Sequence, residues 1–167
     1  ASVQVLVFKK VNGYDHEEGG AAAAAAIQAM GEKNGWGVTL TDRAGAFNAK
    51  SLSKFDVVVW NNVSGDVLTL SQREAFRDFV EQGGGFLGIH GSGGDFMYLW
   101  DWYLESLIGA LFIGHTMAPH YQDATVRTAV AASGISQGID AEWTVHDEWY
   151  SCAENPRKGG ADVVLTV

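Results

Sequence analysis

The sequence predicts an α/β protein built on a mostly parallel sheet covered on both faces, and two observations carry that prediction. Three short runs, Val3 to Phe8, Phe55 to Asn61 and Gly85 to His90, are largely apolar, the first also rich in β-branched residues, the pattern of strands buried on both faces. Helical segments fall between them, and strands joined through helices are normally parallel neighbours.

Each element has a local reason. Ala21 to Met30 (AAAAAAIQAM) has the highest helix propensity in the chain, with no Gly or Pro inside it. The stretch Gly31-Glu32-Lys33-Asn34-Gly35 supplies its end, and Gly37 to Thr41 reads as a short strand. Ser71 to Gln82 is an amphipathic helix whose start is set by Ser71 and Glu74 at capping-box spacing. Tyr98 to Leu111 predicts another helix, with Trp100, Tyr103, Leu104, Leu107, Ile108 and Leu111 on one face and Asp95 placed to cap it. Gln122 to Ala129 alternates like a half-exposed strand, and Ala161 to Val167 reads as a last buried strand.

The totals exclude some partners. With 20 acidic against 11 basic residues the formal charge is −9, and no basic run is longer than Lys9-Lys10. A phosphate backbone would be repelled, so nucleic acid is not expected. No apolar run approaches the roughly 20 residues that span a bilayer, so the expectation is a soluble protein with no membrane partner. The lone Cys152 forms no intramolecular disulfide and suits the cytoplasm or export after leader removal equally. At 167 residues one domain is the default reading of 1–167.

Glycine-rich Gly83 to Gly94 holds the most suggestive chemistry. Gly83 to Gly88 has the spacing of a dinucleotide fingerprint, but it closes a helix and opens a strand, the reverse of what pyrophosphate binding requires. Gly83 and Gly84 are better read as a left-handed cap and a tight turn. At the other end, Gly88-Ile89-His90-Gly91-Ser92 has the shape of a nucleophile elbow with histidine where serine or cysteine would stand. His16 follows the first strand and His115 follows the glycine of Phe112-Ile113-Gly114-His115, so imidazoles recur at strand ends. Asp147 and Glu148, adjacent between aromatics, supply either a general acid or base, or oxygen ligands for a divalent metal. The bland alternative is a solvated turn.

Together these stretches resemble the ThuA-like (trehalose utilisation) family. The resemblance runs through Leu6-Val7-Phe8, Gly13-Tyr14-x-His16, Phe55-Asp56-Val57-Val58-Val59 and Gly65-Asp66-x-Leu68-Thr69. It continues in Gly83-Gly84-Gly85-Phe86-x-Gly88-Ile89-His90, Trp100-x-x-Tyr103, Leu107-Ile108-Gly109-Ala110-x-Phe112-x-x-His115, Asp147-Glu148-x-Tyr150 and Val163-Val164-Leu165. It implies a flavodoxin-like three-layer sandwich similar to class I glutamine amidotransferases, with His90 near the place of the amidotransferase cysteine. It further implies a link to disaccharide catabolism beside dehydrogenases that make 3-keto glycosides, and a C-terminal closing segment beyond the last strand read here.

Three functional expectations follow. The first is an enzyme acting on a keto-glycoside or related disaccharide, with His90, Asp147 and Glu148 catalytic and Tyr14, His16, Ser92, His115 and Trp149 contacting substrate. In its metal-assisted form, His16, His90 and His115 hold a divalent ion such as zinc. The second is a non-catalytic sugar-binding module with tryptophan and tyrosine platforms. The third, a glutamine amidotransferase, is disfavoured because no cysteine stands at the elbow. Homo-oligomerisation is left open.

Overall fold

The computed structural model describes residues 2–129 and 134–167, which group into two compact units, 1–100 and 101–167. In the first unit, four parallel strands form one sheet in the order β2-β1-β3-β4: β1 (Gln4–Phe8), β2 (Gly37–Thr41), β3 (Val57–Asn61) and β4 (Gly85–Ile89). Register is tight, with Val5 opposite both Val38 and Val57, and Asn61 opposite Ile89. The α/β class with a central parallel sheet is therefore as expected.

Period-two alternation sends the strand side chains into two different layers. Val5, Val7 and Val59 pack with Ile27 of helix α1 (Glu17–Asn34), joined by Val38, Val57 and Ile89. From alternate positions, Phe8, Trp60 and Phe86 meet Phe47 and Phe76. Phe76 lies on helix α3 (Leu70–Glu81) and stacks on Trp60 with centroids 5.5 Å apart. A short helix not expected from the sequence, α2 (Ala49–Leu52), sits between β2 and β3 and is capped by Asn48, whose side chain accepts from the Ser51 N–H.

Helix α1 is longer than its alanine run and buries only Gly20, Ile27 and Gly31. A Cβ on Gly31 would stand 2.5 Å from Val38 Cγ2, so the glycine permits the close approach of helix to strand. Helix α3 starts one residue before the expected Ser71. Its capping box is Thr69 with Gln72, the Gln72 Oε1 accepting from the Thr69 N–H at 2.9 Å, in place of Ser71 with Glu74. Gly83 has φ +99, and Gly84 N–H returns to the Phe79 carbonyl at 2.9 Å, so these glycines do end the helix.

The second unit holds short antiparallel sheets. Strand β5 (Phe112–His115) pairs with β8 (Tyr150–Cys152), and β6 (Tyr121–Thr128) lies between β7 (Glu142–Glu148) and β9 (Leu165–Thr166). Three expectations need correction. The helix expected over 98–111 is a π-helical segment, Trp102–Ile108, closed by Gly109 N–H to Leu104 C=O; Leu99, at φ +52, has left-handed backbone unsuited to starting a helix there. Only Tyr103 of that segment is buried. Ala161 to Val167 contributes a two-residue antiparallel strand with Leu165 exposed, because it borders a thin sheet instead of entering a covered one. Asp95 accepts from the N–H groups of Met97 and Gly65 and so fastens a loop.

Truncating Phe76 to alanine is expected to destabilise the protein by about 3–5 kcal/mol, as for other buried aromatics. Leu70→Ala on the same helix, at a side chain 76 % exposed, should stay within about 0.5 kcal/mol. Urea denaturation of both variants checks the contrast.

Candidate functional site

In an open parallel sheet, ligands bind beyond the carboxyl ends of the strands where the winding reverses. Here the chain winds from β1 outward to β2, then returns to β3 and on to β4, so the reversal lies between β1 and β3. The segments leaving β1, β3 and β4 meet there and are stitched together by buried polar groups.

Asn61 ends β3 and Asn62 follows it, buried to 1 % and 2 % exposure. Asn61 Nδ2 donates to the Gly20 carbonyl at 2.7 Å, fixing the start of α1 to β3. Asn62 has φ +54, and its Oδ1 accepts from Gly91 N–H at 3.1 Å, tying β3 to the loop after β4. Ser92 Oγ donates to the Trp60 carbonyl at 2.7 Å and accepts from Val63 N–H at 2.9 Å. The Tyr98 hydroxyl donates to the Gly91 carbonyl, and Ser64 Oγ donates to the Tyr14 carbonyl at 2.7 Å.

His16 and His90 stand on this frame. His16 occupies the N-cap position of α1, its carbonyl accepting from Gly20 N–H at 2.8 Å. His90 opens the tight turn His90–Gly93 with φ +42, a conformation that L-residues other than Asn, Asp and His seldom adopt. Their rings meet edge to face, centroids 4.6 Å apart and planes at 88°. Tyr14, 70 % exposed, puts its ring against His16 at 4.8 Å. Gly91 is required beneath them, since a Cβ there would come within 3.0 Å of His16 Nδ1. A cavity of about 450 Å³ opens over the ends of β1 and β2, lined by Val7, Lys9, Glu17, Leu40, Asp42 and Asn61 among others, and neither histidine lines it.

The structure thus brings His16 and His90 together, as strand-end reasoning expects, and sets Tyr14 against His16. Ser92 lies in the same loop, but it is fully buried and its hydroxyl serves the frame. Trp60 is 2 % exposed in the core, while Trp100 lies under the Arg73 guanidinium at 5.3 Å. Neither tryptophan offers an open platform.

The other expected residues lie in the second unit. Strand pleating turns the neighbours Asp147 and Glu148 to opposite faces, so they form no carboxylate pair. Asp147 is exposed, its Oδ1 accepting from Glu148 N–H at 2.8 Å. Trp149 Nε1 donates to the Gln122 carbonyl at 2.9 Å, a strand-to-strand tie. Glu148 is buried at 8 % exposure, and its Oε1 meets His115 Nε2 at 3.2 Å and His120 Nε2. His120 was not among the residues singled out from sequence. The spacing His115-x-x-x-x-His120 was the available signal, and it carried little weight without knowledge that Glu148 faces the same way. Burial, together with the hydrogen-bonded Glu148 carboxylate, pushes the Tyr150 hydroxyl well above its ordinary range.

An α/β protein with histidines at the strand-end crevice and an antiparallel second unit is the class these observations define. The family model for ThuA, trehalose utilisation, matches residues 4–167, and the chain belongs to that family. A solved structure described as a ThuA-like protein from Bacteroides uniformis superposes with a TM-score of 0.81 at 20% identity, covering 98% of this chain and 66% of that one. Another from Parabacteroides merdae gives 0.66 at 12% identity, covering 90% and 63%. The chain therefore spans about two thirds of the length of these relatives in fold. No curated protein matches the sequence. Family membership suggests a carbohydrate-related function. Among the described residues, no helix is long and apolar enough to cross a membrane.

Ser92→Ala removes a buried donor and acceptor at once and is expected to cost about 1–3 kcal/mol of stability, read by chemical denaturation. A second expectation concerns pH. Because the folded state holds Tyr150 protonated above the ordinary tyrosine range, stability is fully present below the unfolded-state value of about 10 and falls as pH rises beyond it. Tyr150→Phe should flatten that alkaline decline, measured as unfolding free energy against pH.

Proposed function

We propose that the protein acts on a carbohydrate, a keto-glycoside or related disaccharide, by histidine acid–base chemistry at the His16–His90 pair. The observation that carries this reading is the meeting of two imidazoles at the winding reversal of the sheet, one of them in left-handed backbone. Strained backbone of this kind costs on the order of 1–3 kcal/mol and is retained where a side chain must be aimed. Imidazole both takes and gives a proton near neutral pH, which suits a reaction needing a base and then an acid.

A 3-keto glycoside meets that requirement. Its C2 proton is acidified by the neighbouring ketone, so one imidazole, assigned to His90, removes it as an enolate forms. The enolate electrons then make the C1–C2 double bond as the C1–O bond breaks, and the departing oxygen takes a proton from the second imidazole, His16. Two products result, an unsaturated keto sugar and the free alcohol of the aglycone, with no oxidant and no serine or cysteine nucleophile. Asp42 and Glu17 at the cavity over the ends of β1 and β2 offer charged hydrogen-bond partners for sugar hydroxyls, while Lys9 there is held by Asp15 at 2.7 Å.

Exposed Tyr14 against His16 also suits a binding module in which a sugar ring lies on an aromatic face. The two readings separate on one measurement. With a 3-keto-disaccharide as substrate, His90→Ala should lower turnover by about 10²–10⁴-fold while the fold is kept. Unchanged turnover in that variant would overturn the assignment, and binding without any product on long incubation would favour the module.

A further inference from the structure

We infer that the second unit carries a divalent metal site, built from His115, His120 and Glu148. His115 ends β5, His120 precedes β6 and Glu148 ends β7, so three separate elements deliver the donors to one point. The Nε2 atoms of both histidines converge on a single oxygen, Glu148 Oε1. The two rings lie parallel, centroids 4.6 Å apart and planes at 8°, so both nitrogens are offered side by side. One donor atom from each residue fits within 4.8 Å of the others, a spread that ligand bonds of about 2.0–2.2 Å close with small side-chain shifts.

The protonation pattern is the stronger argument. His115 Nδ1 lies 2.9 Å from the Thr116 carbonyl oxygen, and a carbonyl can only accept. The proton of a neutral His115 ring is therefore on Nδ1, and its Nε2 presents a lone pair to Glu148 Oε1 at 3.2 Å. Two acceptors facing each other at that distance repel unless a cation lies between them. A ring whose far nitrogen donates to a carbonyl while its near nitrogen faces a carboxylate is the arrangement that surrounds metal-bound histidine.

The environment fits the same reading. Glu148 is buried, where an anion needs compensation, and the Tyr150 hydroxyl bonds to it as an outer partner would. Two imidazoles with one carboxylate favour a borderline metal such as zinc over calcium or magnesium, which prefer all-oxygen shells. Three protein ligands leave a fourth position for water or a substrate oxygen. Of the ligands expected from sequence, this set keeps His115 and replaces the other two.

The test uses the full chain, stripped with a chelator and titrated with zinc by calorimetry and with cobalt(II) by visible absorption. Binding of about one ion per chain is expected, with a cobalt spectrum typical of low coordination number. His115→Ala, His120→Ala and Glu148→Gln should each weaken binding roughly tenfold or more, while Tyr150→Phe keeps the stoichiometry and weakens affinity by a similar factor. His146→Ala, which removes an exposed imidazole of the second unit that pairs with Asp123, should bind as tightly as the parent. Circular dichroism of each metal-free variant separates lost ligands from lost structure, and added zinc should raise the thermal midpoint of the parent but not of Glu148→Gln. Absence of saturable binding by the folded parent would overturn the proposal, since a proton would then be the cation between His115 and Glu148. Binding undiminished in folded His120→Ala and Glu148→Gln, or abolished in folded His146→Ala, would overturn it equally.

Discussion

Ser92 Oγ sits without solvent exposure between the carbonyl of Trp60 and the N–H of Val63, and the first unit's crevice depends on that placement. Strand β3 must end there, because its backbone turns away to form the next loop, and its last polar groups would otherwise be buried without partners. One hydroxyl answers both a donor and an acceptor, and in doing so draws the turn after β4 against β3. Asn62 repeats the device one residue earlier by accepting from Gly91, and Asn61 extends it to the first turn of α1. His16 and His90 thus face each other because a chain of buried polar contacts leaves the intervening backbone little freedom. The glycine at 91 belongs to the same arrangement, since any larger residue would press on the His16 ring.

The two histidine clusters differ in how the rings are held, and the difference bears on what each can do. His16 and His90 meet edge to face at 88°, so the edge of one ring points at the π surface of the other. His115 and His120 lie face to face at 8°, so their nitrogens point in one direction and address a single centre. Tyr121 continues that stack on His120 at 4.4 Å, and Tyr150 lies against Phe112 at 4.7 Å, so aromatic packing in the second unit fixes ring orientation.

Much of the first unit was legible in the sequence, because its signals are local. The all-apolar strands Val5 to Phe8 and Val57 to Trp60, the glycines that end α3, and the histidines just after β1 and β4 each declare themselves within a few residues. The capping box was shifted because Thr69 and Gln72 satisfy the same spacing rule as Ser71 and Glu74, and only tertiary packing decides between them. The second unit was harder to read. Its strands are short and half exposed, its helical segment is π-wound so that a 3.6-residue face misleads, and its acid pair divides across a pleat. His120 gained meaning only when β7 turned Glu148 toward it, a pairing over 28 residues that no local window contains. Polar frame residues such as Ser92 read as surface chemistry in a sequence, and burial reverses that meaning.

Strand β1 lies inside the sheet, yet it precedes both of its partners in the chain. During synthesis at about 5–20 residues per second, the roughly 50 residues separating β1 from β3 take about 3–10 s to appear. Over that interval Val5, Leu6, Val7 and Phe8, each 4 % exposed or less in the finished fold, lack their β3 neighbours. Helix α1 and β2 arrive first and can cover only one flank. The inner strand of the sheet is thus its most vulnerable piece on the ribosome, and slower elongation between residues 41 and 57 would lengthen that exposure without altering a single native contact.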